Sequence, residues 1–340
     1  MSTDSSKPQT VIITGGTGYV GQHIVGQLLH HNYNVIIIDI SPTRAMEIVQ
    51  LFNHPNLQCK VVDQLNKPNS IDFVLRQFPH ASTFIASAAV VPRDDIEDYE
   101  AEIIQMNRDI LKNTLDSIKH CGGCIQRVVV TSSTAAYVSP EKAFAVDAVY
   151  SDDDWNPLPY EAGKQSVSAA YFVSKRINEE LVWQFVKDET PQFDLVTVAP
   201  AFCIGPSFFS SQVSLTNLPS STSTVGDLLK LHKSDTVPYL GAGAVDVRDV
   251  AKAHVAVINN PKASNQRLVV EAYKFTNANA INVLKANFPE LKDKLPDVEP
   301  IPESKFVEPN LKKSREILGI EKYYSLTESV VDLAKQLLKE

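Results

Sequence analysis

Residues 9–31 read QTVIITGGTGYVGQHIVGQLLHH, and three glycines organise them. Gln9 to Thr14 is an apolar run of strand length, and apolar residues at helix spacing follow it. Between the two, Gly15, Gly18 and Gly21 form a GxxGxxG turn. Gly15 permits the tight turn, Gly18 lets a pyrophosphate approach backbone amides, and Gly21 lets the helix come close to the strand. The amino end of the helix then favours phosphate charge. Glycine triplets are common in proteins; the strand before this one and the helix after it make it specific.

The next two hundred or so residues repeat the alternation. Apolar strands are expected at 34–39, 57–62, 82–86, 127–132 and 193–199. Helices are expected at 42–52, 70–78, 96–120 and around Tyr171. Unbroken apolar strands alternating with helices indicate an α/β fold, a doubly wound parallel sheet covered on both faces. After Pro200 the pattern loosens. Residues 207–226 are rich in Ser and Thr, include Pro219, and read as a mobile loop. From about Lys274 the chain is helix-prone, with several prolines between Pro289 and Pro309. The expected division is a dinucleotide-binding domain over 1–199 and a mainly substrate-binding domain over 200–340. Part of 236–275 is expected to return to the sheet.

Composition narrows the partners. The chain has 340 residues, 44% of them hydrophobic, and a net charge of −8. That balance argues against nucleic acid or an anionic membrane as partner. No run of 18 apolar residues is present, so no membrane span is expected. The start, MSTDSSKPQT, lacks the apolar core of a signal peptide, and the expected location is cytoplasmic. The 4 cysteines make no disulfide framework. Cys121 and Cys124 form a CxxC with neither a helix N-terminus nor a second ligand pair visible, so it reads as a helix-to-strand loop. No metal is expected.

The residues with chemistry lie at strand ends and on one helix. Tyr171-Phe172-Val173-Ser174-Lys175 sits in the helical run YFVSKRINEELVWQF, so Tyr171 and Lys175 share a face. A phenol has a reference pKa of about 10, and a nearby ammonium pulls it toward working pH. The pair is a proton-transfer device. Tyr160 and Lys164 repeat the spacing, but Tyr160 follows Pro157-Leu158-Pro159, which resists helix. Asp39 closes the second strand, where an acid accepts hydrogen bonds from an adenosine ribose. Asp63, with Gln64 beside it, closes the third strand within reach of an adenine amine. Thr131-Ser132-Ser133 closes the fifth, on the edge where ligands bind in such folds. A hydroxyl there is placed to donate to a carbonyl oxygen.

TGGTGYVG, Asp63, TSS and YFVSK, in that order, resemble the extended short-chain dehydrogenases/reductases. The run WNPLPYEAGKQSVSAAYFVSKRINEELVWQF is similar to dihydroflavonol-4-reductase-type enzymes and, within them, to the fungal methylglyoxal/isovaleraldehyde reductases. VDVRDVAKAHV at 245–255 fits the same group. The resemblance implies a Rossmann-type fold with a smaller C-terminal substrate-binding domain. It implies a Ser-Tyr-Lys site that moves hydride between a nicotinamide cofactor and small aldehydes or ketones. Ser133 would polarise the carbonyl, Tyr171 donate the proton, and Lys175 bind the nicotinamide ribose and lower the tyrosine pKa. Gly15, Thr17, Gly18, Tyr19, Val20 and Gly21 would hold the phosphates. Ala86, Ser87 and Ala88 would border the cofactor, and Pro200, Ala201 and Cys203 would meet the nicotinamide. The substrate pocket would draw on Val90, Val91, Pro92, Tyr137, Val138, Phe202 and the rest of the 202–226 loop.

Three positions depart from the resembled pattern. Ala199 stands where an Asn is usual before Pro200. An Asn in the long helix is often a fourth catalytic residue; Asn107 is the candidate, with Asp109 competing for the register. Third, the resembled reductases commonly prefer NADPH and carry a small residue and then Arg at the end of the second strand. Here Asp39 and Ile40 stand there. A carboxylate about 4 Å from a 2′-phosphate is repelled by roughly 4 kcal/mol per charge pair at an effective dielectric near 20. NAD(H) is therefore the expected cofactor, preferred over NADP(H), with Arg44, one turn into the next helix, as the opposing feature. The sequence leaves two rival readings. One is an NAD-dependent sugar-nucleotide epimerase of the same superfamily; a dehydratase is disfavoured because Thr134-Ala135 follows Ser133. The other is a non-catalytic dinucleotide sensor, which has no reason to keep Ser133, Tyr171 and Lys175 together.

Overall fold

A computed structural model describes residues 8–93, 95–218 and 221–339. The polar start through Lys7, and Pro219 in the serine-rich loop, lie outside the described residues. The chain opens with β1 (Thr10–Thr14), α1 (Tyr19–His30), β2 (Asn34–Asp39), α2 (Pro42–Phe52), β3 (Leu57–Val61), α3 (Asp72–Gln77) and β4 (Thr83–Ala86). It continues through α4 (Met106–Cys121), β5 (Arg127–Thr131), α5 (Pro140–Ala143), α6 (Val167–Glu189) and β6 (Asp194–Pro200). Then come β7 (Phe202–Ile204), α7 (Thr222–Lys230), β8 (Gly241–Asp246), α8 (Val247–Ala256), β9 (Gln266–Val270) and β10 (Tyr273–Thr276). Three helices close the chain: α9 (Asn277–Asn287), α10 (Lys312–Leu318) and α11 (Leu326–Leu337).

Seven strands form one parallel sheet in the order β3-β2-β1-β4-β5-β6-β9. The unbroken apolar strands follow from this: both faces are covered, so no position along them needs to be polar. Ile13, Ile37 and Val129 meet α1, α2 and α8 on one face; Ile12, Phe84 and Val128 meet α3, α4 and α6 on the other. The strand order reverses between β1 and β4, so the carboxyl ends there open a crevice. A second sheet, β10-β8-β7, shares a core with α7, α9 and α11 around Phe275, Leu284 and Leu333. β9 lies between these parts in sequence but pairs with β6, from Val196↔Gln266 to Pro200↔Val270.

Two segments differ from expectation. The long helix expected from residue 96 starts as a π-helical turn, Glu100–Gln105, and becomes α-helical only at Met106. Within the expected mobile loop, Thr222–Lys230 is helix α7, because Val225, Leu228 and Leu229 form a buried face against the second core. No helix among the described residues is long and apolar enough to cross a membrane.

Candidate active site

The glycine turn is built around a position only glycine tolerates. Gly15 has φ +76°, and a Cβ there would lie 2.7 Å from the Ala88 amide nitrogen. A Cβ on Gly21 would lie 1.9 Å from the Gly15 carbonyl oxygen, so any side chain would push α1 off β1. Gly18 is different: its Cβ would meet only the Gly15 oxygen, at 3.4 Å. The protein does not need that glycine sterically, and its exposed face stays open to a ligand's approach. No side chain caps α1, so its first amides also point free. Ala86 ends β4 beside this turn, and the Ser87 and Ala88 amides lie on Thr14, at 3.2 Å from its carbonyl and 3.5 Å from its hydroxyl. A dinucleotide pyrophosphate fits this cradle.

The Tyr19 hydroxyl donates to the Gly205 carbonyl at 2.8 Å, tying α1 to the segment after β7. Val20 faces the core. Asp63 and Gln64 follow β3 and are exposed. Pro200 ends β6, the Ala201 amide donates to Val270 at 2.9 Å, and Cys203 lies in β7 opposite Val245.

At the end of β5, Ser133 Oγ accepts from the Ala135 amide at 3.2 Å as the cap of a 3-10 turn, leaving its proton available. One helix away, Lys175 is buried, and its Nζ donates to the Thr131 carbonyl at 3.3 Å. The same Nζ lies 5.7 Å from the centroid of the half-buried Tyr171 ring. Hydrogen bonds from Lys175 to Thr131 and from Ser132 to Glu179 thus tie α6, which carries Tyr171, to the strand end that carries Ser133. A cavity of about 30 Å³ lies beneath Lys175, bordered among others by Asn107, Thr131, Ser132, Asn178 and Glu179.

The competing pair is spent elsewhere. Tyr160 lies in a 3-10 turn, where it donates to Glu100 at 2.8 Å and accepts from Gln105 at 2.7 Å. Burial and the Glu100 carboxylate raise its phenol above the usual value, the opposite of what proton donation at neutral pH needs. Lys164 pairs with Glu100 and Glu161.

Of the two candidates on the long helix, Asn107 is the inward-facing one. It is buried, exchanges hydrogen bonds with both backbone groups of Val90 (2.6 and 2.9 Å), and donates to Ser174 at 3.2 Å. Asp109 is exposed. Asn107 therefore clamps the loop after β4 to the helix that carries Tyr171 and Lys175.

Several expected pocket residues point elsewhere. Tyr137 and Val138 are 1% and 3% exposed, in a core cluster with Tyr150 and Val269. Tyr137 turns inward to donate to Glu179 at 3.4 Å, under the Arg267 guanidinium. Phe202 meets Phe275 at 6.0 Å in the second core, and Val90 joins the cluster of Ile103 and Val173; Val91 is exposed. Sequence reasoning also passed over buried Glu179, which ion-pairs with Arg267 at 2.6 Å and accepts from Ser132 and Thr197. Its signal was present: it lies one turn beyond Lys175 on the same helix face. The cysteines are all free, and Cys121 accepts from Arg76 at 3.3 Å. Among the described residues, no cluster of His, Cys, Asp or Glu is arranged to hold a metal.

A Rossmann-type sheet with a glycine cradle, and with half-buried Tyr171 beside buried Lys175 at its carboxyl edge, is the architecture of the extended short-chain dehydrogenase/reductase class. Comparison with known proteins agrees: residues 11–271 match the family model described as NAD dependent epimerase/dehydratase family, and the chain belongs to that family. The chain is similar to the NADPH-dependent methylglyoxal reductase GRE2 of Saccharomyces cerevisiae, with 31% identity covering 97% of this chain and 98% of that protein. It is also similar to the crystal structure of Gre2 in complex with NADPH from Candida albicans: 34% identity, TM-score 0.93, covering 98% of this chain and 99% of that one. The vestitone reductase of alfalfa, at 21% identity and TM-score 0.72 over 96% of this chain and 97% of that one, shares the fold.

These likenesses overturn the expected NADH preference, since both Gre2 relatives are described with NADPH. The structure supplies the physical reason. Asp39 is 4% exposed and its carboxylate is already engaged. Thr17 donates to one oxygen; the Ser41 amide (2.7 Å) and the Arg44 guanidinium (3.0 Å) donate to the other. The repulsion expected from a bare carboxylate is therefore opposed by a cation whose side chain is 56% exposed beside it.

Proposed function

We propose that this chain is an NADPH-dependent carbonyl reductase acting on small aldehydes and ketones. The observation that carries this reading is the buried Lys175 ammonium held 5.7 Å from the Tyr171 ring at the carboxyl edge of the sheet. When bound, the nicotinamide supplies the hydride. Ser133 donates to the carbonyl oxygen as that oxygen gains negative charge. Tyr171 delivers its proton to the same oxygen, and Lys175 stabilises the phenolate left behind. Arg44 sits beside Asp39 at the end of β2, where an adenosine ribose would lie. One nitrogen of its planar fork is used by Asp39, and the remaining donors are free to take a 2′-phosphate.

A panel of aldehydes and ketones, each assayed with NADPH and with NADH, tests both parts. We expect reduction of small uncharged carbonyls, with the higher kcat/KM for NADPH. Arg44→Ala should raise KM for NADPH about tenfold, the worth of one charge-assisted phosphate contact, and change KM for NADH little. If NADH outperforms NADPH on every reduced substrate, the cofactor reading is wrong. If neither reduces any carbonyl in the panel, the reductase reading is wrong.

A further inference from the structure

Three hydrogen bonds run in series from α8 to the Tyr-Lys pair. His254, fully buried in α8, has Nδ1 at 2.8 Å from the Val250 carbonyl oxygen. A carbonyl has no proton to give, so Nδ1 carries the hydrogen and Nε2 keeps the lone pair. Nε2 lies 2.8 Å from Thr131 Oγ1, so the threonine hydroxyl donates to it. The backbone carbonyl of the same Thr131 accepts from Lys175. Burial favours this neutral imidazole, pulling it down to about 4 against the opposing pull of the Val250 carbonyl. Its tautomer is therefore locked, and it acts as a fixed acceptor at the end of β5.

We propose that His254 is a positioning residue for the reaction: by holding Thr131, it fixes the carbonyl that anchors Lys175, and with it the separation between the ammonium and Tyr171. This rests on Tyr171 being the proton donor. The anchor matters because the Thr131 carbonyl is the hydrogen-bond partner the structure gives Lys175. The other charged group bordering the cavity beneath Lys175 is Glu179, already held by Arg267 and Ser132; Asn107 and Asn178 are neutral. Ser132 points to α6 while Thr131 points to α8, as alternate residues of a strand must. The edge that carries Ser133 is thereby bolted from both faces, and the bolt on the α8 face is His254.

The test is alcohol oxidation with NADP+, with kcat and KM measured separately. Thr131→Val removes the donor to Nε2. His254→Asn, a gentler change, keeps a donor for Val250 but does not reach Thr131. Both should lower kcat about tenfold as the ammonium drifts, with KM for NADP+ and for the alcohol within about twofold of wild type. Thr131→Ser and His254→Gln keep the hydroxyl and an acceptor of matching reach, and should retain the wild-type kcat. A merely structural role would lower Tm in all four variants and leave the kcat of the folded enzyme unchanged. If Tyr171→Phe is inactive while Thr131→Val and His254→Asn keep the wild-type kcat, the inference fails and the donor assignment stands. If Tyr171→Phe remains active, the donor assignment itself fails and takes the inference with it.

Discussion

Tyr171→Phe should lower kcat for carbonyl reduction by about three orders of magnitude, within the usual span for losing a general acid, and leave NADPH affinity within about twofold. The phenyl ring keeps the ring's contacts, including its edge-on packing with Phe172 at 6.1 Å, so the fold has no reason to change. What disappears is the proton for the oxygen that accepts the hydride. Water entering the site is a weak substitute, because nothing holds it where the phenol hydroxyl stood, in line with the reacting oxygen. Tyr160→Phe is the matched control. It breaks hydrogen bonds to Glu100 and Gln105 on the outer side of α6 and should cost stability while sparing turnover. Steady-state kinetics with cofactor titration by fluorescence separate the two. Inactive Tyr160→Phe beside active Tyr171→Phe would reverse the assignment.

The parts of this site that could be read in the sequence are the parts made locally. Gly15 and Gly21 answer to a turn and a helix packing that occur within a dozen residues, and the Tyr171–Lys175 spacing is fixed by one helix. Strand positions were legible because a sheet covered on both faces leaves runs such as Val35–Ile38 no polar alternative. Parts that depend on distant partners were not. Asp39 stands in the expected place at the end of β2, but the surroundings of its carboxylate are made by Thr17, Ser41 and Arg44 folding onto it. The helix after it starts at Pro42, capped by Ser41, and that start brings Arg44 round to the carboxylate. Tyr137 reads as a loop residue beside Ser133, yet Glu179 and Arg267, 42 and 130 residues further on, draw it into the core. The Asn107 register was hidden by the π turn before it, which breaks the 3.6-residue count that periodicity relies on. His254 lies in the VDVRDVAKAHV stretch, but nothing in its neighbours says that it meets Thr131.

Acid should weaken this fold between about pH 6.5 and pH 4, through two buried neutral histidines. His23, on α1, has Nε2 at 2.9 Å from the Pro206 carbonyl, so that nitrogen carries the hydrogen; burial pulls the ring down from the usual 6.5 to about 4. His254 is pulled down to about 4 by the same cause. Unfolded, each histidine binds its proton near pH 6.5. Below that pH the unfolded chain takes up protons that the folded chain refuses, so stability falls with pH until the folded rings also titrate. Each ring should cost about 2 kcal/mol by pH 5 and about 3 kcal/mol by pH 4. The two together are comparable with much of a typical domain's stability of about 5–15 kcal/mol. The carboxyls of Asp249 and Glu271, raised by burial, act in the opposite sense, since they are more stable folded when protonated. The histidine share is therefore measured by difference. His23→Gln keeps a donor for Pro206, and His254→Gln keeps an acceptor for Thr131, but neither titrates. Urea midpoints at pH 7 and pH 5 should show each variant losing about 2 kcal/mol less than wild type over that interval. An identical loss in all three proteins would mean that these rings take up protons in the folded chain as readily as in the unfolded one. The Nδ1–H···O=C and O–H···Nε2 chain from Val250 through His254 to Thr131 would then not exist as described.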